Sequence, residues 1–348
     1  MRIPACLVVL SCSLVGCVQP DPLRHDDRLH AWLEFTDVDR VETHVEWAAT
    51  LNLDLRVAVV QGRHDANYAR TVCAAAEAHD VGLSLWPLLD EADGYWPNQS
   101  NATQFATWAT ELAALQTDGC PRLDAVVVDM EMPIDRSETL TDTTLTVSQR
   151  LTALSSSVDL GAFEAARSTY SDLVDSLHER DLRVFLTTLP MLVDDQLDGD
   201  EGIAQALWTP VEGVAWDRLS FQVYRTLFDE YARSLLGTEE PFGAGLVTSY
   251  AADIELYWPD TGSLDLGTTG EGMVEHDGME EPAELQADIA AGLDAGVPLE
   301  AINVYSLEGL LEHDDPAAWV GTPEPRAALV APEVDEIRAV VQGLDELL

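Results

Sequence analysis

Lysine is absent from this 348-residue chain: its 18 basic side chains are all arginine, set against 63 aspartates and glutamates, for a formal charge of -45. So acidic a surface repels phosphate backbones and anionic lipid, and no nucleic-acid partner is expected. The imbalance fits an acid-coated surface suited to salt, or the biased composition of an arginine-rich, lysine-poor genome. No glycine-rich loop follows the first strand-like run, which argues against a doubly wound nucleotide-binding sheet. No G-x-S-x-G elbow is present, which argues against a serine hydrolase. The eight histidines are scattered, without H-E-x-x-H or Cys/His ligand spacing. Neither a metal nor a cofactor is therefore expected. The acidic run Asp194, Asp195, Asp198, Asp200 and Glu201 lacks the full calcium-loop pattern and reads as a solvated loop.

The apolar stretch 3–15 is too short to span a bilayer as a mature helix, and it follows Arg2 as a signal-peptide core follows its basic end. It ends Leu14-Val15-Gly16-Cys17, which resembles the bacterial lipobox. That resemblance implies a signal peptide over 1–16, lipid on Cys17 and a lipidated tether over 17–28. An ordinary secretory peptide that contains a cysteine is the alternative. Val18 and Gln19 lack the aspartate that marks inner-membrane retention in the Gram-negative pattern. The expected place is thus the bacterial cell envelope, with the chain tied by its lipid to the outer membrane or cell surface. Cysteine is scarce: Cys6 and Cys12 leave with the signal and Cys17 is lipidated, so Cys73 and Cys120 remain. They form a disulfide in an oxidising compartment, or stay as two buried thiols.

What the chain does have is alternation. Hydrophobic residues make up 47%, enough for a sizeable core. Strand-like runs fall at 29–36, 53–60, 81–89, 124–132, 182–189, 218–224, 243–250 and 301–307. Amphipathic helical patterns lie between them, for example 66–79, 103–115, 161–180, 226–236 and 284–295. A last one, 332–348, carries Val334, Ile337, Val340, Val341, Leu344 and Leu347 at helical spacing. Eight strands alternating with helices predict one α/β domain over 29–348, a single (β/α)8 TIM-type barrel. The connections 132–159 and 251–282 are long. Both follow expected strands, the fourth and seventh, and belong at the carboxyl-end face where barrels keep their chemistry.

Strand residues two apart share a face. In Asp124–Glu131, Val126, Val128 and Met130 make an apolar face, and Val127, Asp129 and Glu131 share the other. By the same alternation Trp32, Glu34 and Thr36 lie together, as do Ser84 and Trp86; Ser220, Gln222 and Tyr224; and Asn303 and Tyr305. Polar and aromatic groups from five strands thus converge near one mouth, where a purely structural barrel would place branched aliphatics. Two carboxylates on neighbouring inward positions cannot both ionise cheaply, so one should hold a proton near neutral pH. A buried ionic network with Arg56 or Arg225 is the alternative for Asp129 and Glu131. Trp86, Tyr95, Trp96, Tyr224, Tyr257, Trp258 and Tyr305 follow or end strand patterns and suit stacking on sugar rings.

The segment Asp124-Ala-Val-Val-Val-Asp-Met-Glu-Met-Pro133 resembles the fourth-strand signature of family 18 glycoside hydrolases, the chitinases and their relatives, D-x-x-D-x-D-x-E. Asp124, Asp129 and Glu131 match it, Pro133 fits its sequel, and Val127 replaces its second aspartate. The resemblance implies Glu131 as general acid and Asp129 as the residue that orients the substrate's acetamido group. Gln222-Val-Tyr224 is similar to the family's sixth-strand M-x-Y, which gives Tyr224 a contact to that group. Asn303-Val-Tyr305 is similar to its eighth-strand segment, with Tyr305 as the floor. The third-strand S-x-G-G is absent, and Ser84-Leu-Trp-Pro87 stands in its place. Family 25 lysozyme-like barrels also carry a fourth-strand D-x-E. They want an acid on the first strand, where this chain has Glu34 and Asp37.

The expectation is a tethered, monomeric glycoside hydrolase acting on an amino-sugar-containing glycan. Glu131, Asp129 and Tyr224 would be catalytic, and Glu34, Trp86, Gln222, Asn303, Tyr305 and Trp258 would bind substrate. The alternative is a non-catalytic carbohydrate-binding lipoprotein on a degenerate barrel.

Overall fold

The computed structural model describes residues 27–141, 144–145, 147–229, 242–270 and 278–321, with residues 334 and 338. The expected signal peptide, Cys17 and nearly all of the expected tether lie outside the described residues. So does the expected helix 332–348, apart from Val334 and Arg338. Eight parallel strands close a barrel in chain order. They are β1 (Leu29–Leu33), β2 (Leu53–Val60), β3 (Leu83–Leu88), β4 (Leu123–Met130), β5 (Arg183–Thr188), β6 (Arg218–Gln222), β7 (Gly262–Gly267) and β8 (Ile302–Tyr305). β8 returns to β1 through the pairs His30–Asn303 and Ala31–Val304. The expected single TIM-type barrel is what the chain forms.

Helices cover the outside. Ala66–His79 starts at Asp65, whose side chain accepts from the Tyr68 amide, and ends at Asp80 in the left-handed region. Pro282–Ala295 opens with Pro282 in its first turn and a capping box between Glu281 and Glu284. Between helices and strands lies one aliphatic shell that includes Leu33, Val57, Leu85, Val126, Val128, Leu186, Phe221 and Val304. Cys73, on the helix after β2, and Cys120, before β4, are joined as a disulfide across a sequence separation of 47.

Four expectations are corrected. Residues 243–250 are not the seventh strand. They open the helix Ala244–Tyr257, which buries Leu246, Val247, Tyr250, Ala251 and Ile254 on one face. That spacing is helical, and a short apolar run alone does not separate strand from helix. The seventh strand is Gly-Ser-Leu-Asp-Leu-Gly, whose inward Ser263 and Asp265 disguised it as loop. The connection 251–282 is therefore not one loop: it holds the end of that helix and β7. After β4, helices Ile134–Thr141 and Val147–Ser155 occupy the stretch expected to be a long loop. The acidic run is a solvated loop only in part: Asp200 is exposed, but Asp194 and Asp195 are buried. Asp194 pairs with Arg338 at 2.8 Å, and Asp195 caps Gly202–Leu207 by accepting from the Ile203 and Ala204 amides.

Among the described residues no helix is long and apolar enough to cross a membrane.

Candidate active site

The inner face of the barrel differs from its shell. A second cluster inside it gathers Trp32, Ala58, Val60, Trp86, Leu88, Tyr95, Ala125, Val127, Phe185 and Tyr305, with Trp96 and Tyr224 against it. The alternation read in β4 holds: Val126, Val128 and Met130 join the outer shell, and Val127 faces inward. Asp129 is 2% exposed, whereas Glu131, the residue after β4, keeps partial access to solvent.

Gln222 ends β6, two strands along from β4. Its Nε2 donates to Asp129 Oδ1 at 3.0 Å and to Glu131 Oε1 at 2.8 Å. One amide thus fixes both carboxylates. Among the described residues neither is in an ion pair with arginine: Arg56 faces Asp265, and Arg225 pairs with Glu284 and Asp288. Burial pushes the Glu131 carboxyl up to about 7, against the lowering effect of its bonds to Gln222 and Asp129. Burial, then the charge of Glu131, raises Asp129 well above its ordinary range. The pair therefore retains a proton at neutral pH, and Glu131 is its solvent-facing member.

Glu34, just past β1, is a third mouth carboxylate and is 2% exposed. Tyr95 Oη donates to its Oε1 at 2.7 Å, and Tyr305 Oη donates to its Oε2. Burial raises its carboxyl to about 7 in spite of both hydroxyls. Its backbone is pinned as well: Glu308 Oε1 accepts from the amides of Glu34 and Phe35 at 2.9 and 2.8 Å. Tyr305 and Tyr224 lie with ring centroids 5.6 Å apart, and Trp86 meets Trp32 edge-on at 4.7 Å. At the end of β7, a Cβ on Gly267 would lie 2.5 Å from the Tyr305 carbonyl oxygen, so only glycine allows β8 to approach so closely.

The structure thus brings Glu34, Trp86, Asp129, Glu131, Gln222, Tyr224 and Tyr305 to the inner face. Asn303 is placed differently. It is wholly buried, and its Nδ2 donates to Asp265 Oδ1 at 2.7 Å and to the Leu264 carbonyl at 2.9 Å, so it serves the barrel interior and not the mouth. Trp258 is not at the mouth: it precedes β7 and packs on Phe221, an outward residue, at 5.0 Å. There it lines a 340 Å³ cavity on the outer wall with Leu186, Trp216 and Leu219. Sequence reading missed Asp265, hidden in the unrecognised β7, and the hydroxyl contact of Tyr95 to Glu34. Among the described residues no group of three or more His, Cys, Asp or Glu is placed to hold a metal ion.

No protein-family model matches the chain. No curated protein matches it in sequence. Solved structures do match in shape. The glycoside hydrolase domain of PgaB (BpsB) from Bordetella bronchiseptica is similar with a TM-score of 0.51 at 9% identity, over 86% of this chain and 99% of that one. A GH113 β-1,4-mannanase gives 0.46 at 11% identity, over 92% and 98%. A D-allulose 3-epimerase from Methylomonas sp. gives 0.44 at 10%, over 89% and 98%. At such identities the likeness shows the barrel fold alone.

Proposed function

We propose that this protein is a glycoside hydrolase acting on an amino-sugar-containing glycan, held at the cell envelope by lipid on Cys17. The observation that carries the reading is the Gln222 amide shared by Asp129 and Glu131, with Glu131 raised to about 7 at the mouth. Cleaving a glycosidic bond needs a proton for the leaving oxygen and a second group for the developing cation. Glu131 would donate that proton, since it combines solvent access with a carboxyl still protonated near neutrality. Asp129 would hold the acetamido group or steady the cation. Tyr224 would meet the same group, with Gln222, Trp86, Tyr305 and Glu34 shaping the subsite.

The test is hydrolysis of soluble chitin and peptidoglycan oligosaccharides by the protein and by Glu131→Gln. Turnover that vanishes in the variant while glycan still binds supports the assignment. Equal binding without turnover by either protein leaves a carbohydrate-binding lipoprotein. Val127, apolar and buried one inward position below Asp129, is the observation that favours this second reading.

A further inference from the structure

Beneath the mouth the barrel holds another polar group of residues. Asp265 on β7 is wholly buried. Its Oδ1 accepts from Asn303 Nδ2 at 2.7 Å and Trp32 Nε1 at 3.3 Å, and its Oδ2 accepts from Thr187 Oγ1. Arg56 Nη1 stands 3.8 Å from Asp265 Oδ1. The Arg56 guanidinium is itself wholly buried, 5.0 Å from the Trp32 ring centroid and 5.4 Å from that of Phe185. None of its three nitrogens has a hydrogen-bond partner. A guanidinium so placed is costly, and a barrel selected for stability alone would put aliphatics at positions 56 and 265.

The strand register gives the pair a purpose. Thr187, which donates to Asp265, is the β5 partner of Asp129. Gln222, which holds Asp129 and Glu131, is the β6 partner of Asp265. Asp265 thus bonds the strand partner of Asp129 and stands in register with the residue that holds both mouth carboxylates. We propose that Arg56 and Asp265 are positioning residues, a buried charge base whose aspartate adds to what burial does to keep a proton on the Asp129–Glu131 pair and whose arginine limits that effect and holds the aspartate in place. Neither needs to touch ligand.

The charged and titratable groups facing this centre are Glu34 from β1, Arg56 from β2, Tyr95 after β3, Asp129 and Glu131 at β4, Tyr224 after β6, Asp265 from β7 and Tyr305 from β8. Arg218 lies lower, bonded to the Glu300 carbonyl and 5.6 Å from the Phe185 centroid. Burial is the largest cause opposing ionisation of Asp129 and Glu131, and the charge of Asp265 adds to it, after those of Glu131 and Glu34 in the case of Asp129. Arg56 and Asp129 favour each other's charged forms. The inference deepens the glycosidase reading by explaining how its acid stays loaded, but the ionisation it concerns exists without substrate.

The test is a carboxyl titration of the full chain by infrared difference spectroscopy, with bands assigned by their loss in Glu131→Gln and Asp129→Asn. Asp265→Asn should lower the midpoint of the pair by about one pH unit or more, and Arg56→Met should raise it by a similar amount. Arg56→Lys should return most of the shift, and Arg56→Met with Asp265→Asn should lie within about half a unit of the unaltered protein. Midpoints unmoved in folded single variants, or moved in the same direction by both, overturn the proposal. Where Arg56→Met does not fold, Asp265→Asn is compared with the double variant. A midpoint about a unit higher in the double variant supports the charge base, and equal midpoints overturn it. Failure to cleave any glycan would retire the glycosidase reading without touching this titration.

Discussion

The two faces of the barrel strands obey different rules. Outward, β4 presents Val126, Val128 and Met130 and β6 presents Phe221, all in one continuous aliphatic and aromatic shell. Inward, the same strands present Asp129 and Gln222, where the packing rule for such barrels asks for branched aliphatics. The outer face is explained by burial of apolar area alone, and the inner face is not. Substitutions on the inner face should therefore alter chemistry while sparing stability, and those on the outer face the reverse. The largest expected effect is Glu131→Gln, which should cut turnover about 10²- to 10⁴-fold, the usual worth of a positioned proton donor. The melting temperature should stay close to that of the unaltered protein, because a half-buried amide replaces a carboxyl already raised to about 7. A variant that loses turnover only by unfolding would break the comparison.

On the other face, Phe221→Ala should cost about 3–5 kcal/mol of stability, the range for emptying a buried aromatic position. Phe221 is 2% exposed and packs against Trp258, so the cavity already lined by both residues would grow. Denaturant unfolding measures the loss, and the carboxyl midpoint of the mouth should not move. Next in size is the outer staple. Replacing Cys73 and Cys120 together by serine should cost about 2–4 kcal/mol, chiefly by freeing the unfolded chain. They join the helix after β2 to the segment before β4, away from the mouth, so substrate affinity should be unchanged.

The contrast between faces also explains what the sequence could and could not reveal. Where an inward polar residue alternates with outward aliphatics, as in Val126-Val-Val-Asp-Met-Glu131, period-two reading finds both the strand and its inward carboxylates. β7 breaks that signal. Its outward residues are only Leu264 and Leu266, and glycine stands at both ends. The polar inner face then outweighs the apolar one, and Asp265 is lost with the strand. The helix Ala244–Tyr257 took its place because it opens on three consecutive buried residues, Gly245, Leu246 and Val247. Trp258 was misplaced by the same error, since a residue expected after a strand in fact precedes one. Asn303 was rightly read as inward, but alternation says nothing of depth. Depth depends on the stagger between strands, which fixed Asn303 opposite Asp265.

A smaller effect separates buried carboxyls from buried histidines by pH. Glu34 and Glu131 are raised by burial from 4.5 to about 7, and Asp288, beside Arg225, from 3.8 to about 7. The folded state binds these protons more tightly than the unfolded chain. Their stabilising contribution is complete below the unfolded values and is lost as pH rises through about 7. Two buried histidines have the opposite sign. His44, held by Thr36 Oγ1 at 2.5 Å, and His64, stacked on Tyr68 at 3.9 Å, are lowered by burial from 6.5 to about 4. Their contribution is complete above 6.5 and is lost as pH falls towards 4. Between pH 5 and 7 the two sets pull against each other, and a variant at one set should expose the other. Glu34→Gln keeps one acceptor oxygen for the two tyrosine hydroxyls, turns the other position into an N–H donor and removes the mouth proton. Its melting temperature should fall less between pH 5 and 8 than that of the unaltered protein. A matching fall in both would mean that Glu34 titrates as an ordinary exposed carboxyl and that the mouth is wetter than its packing implies.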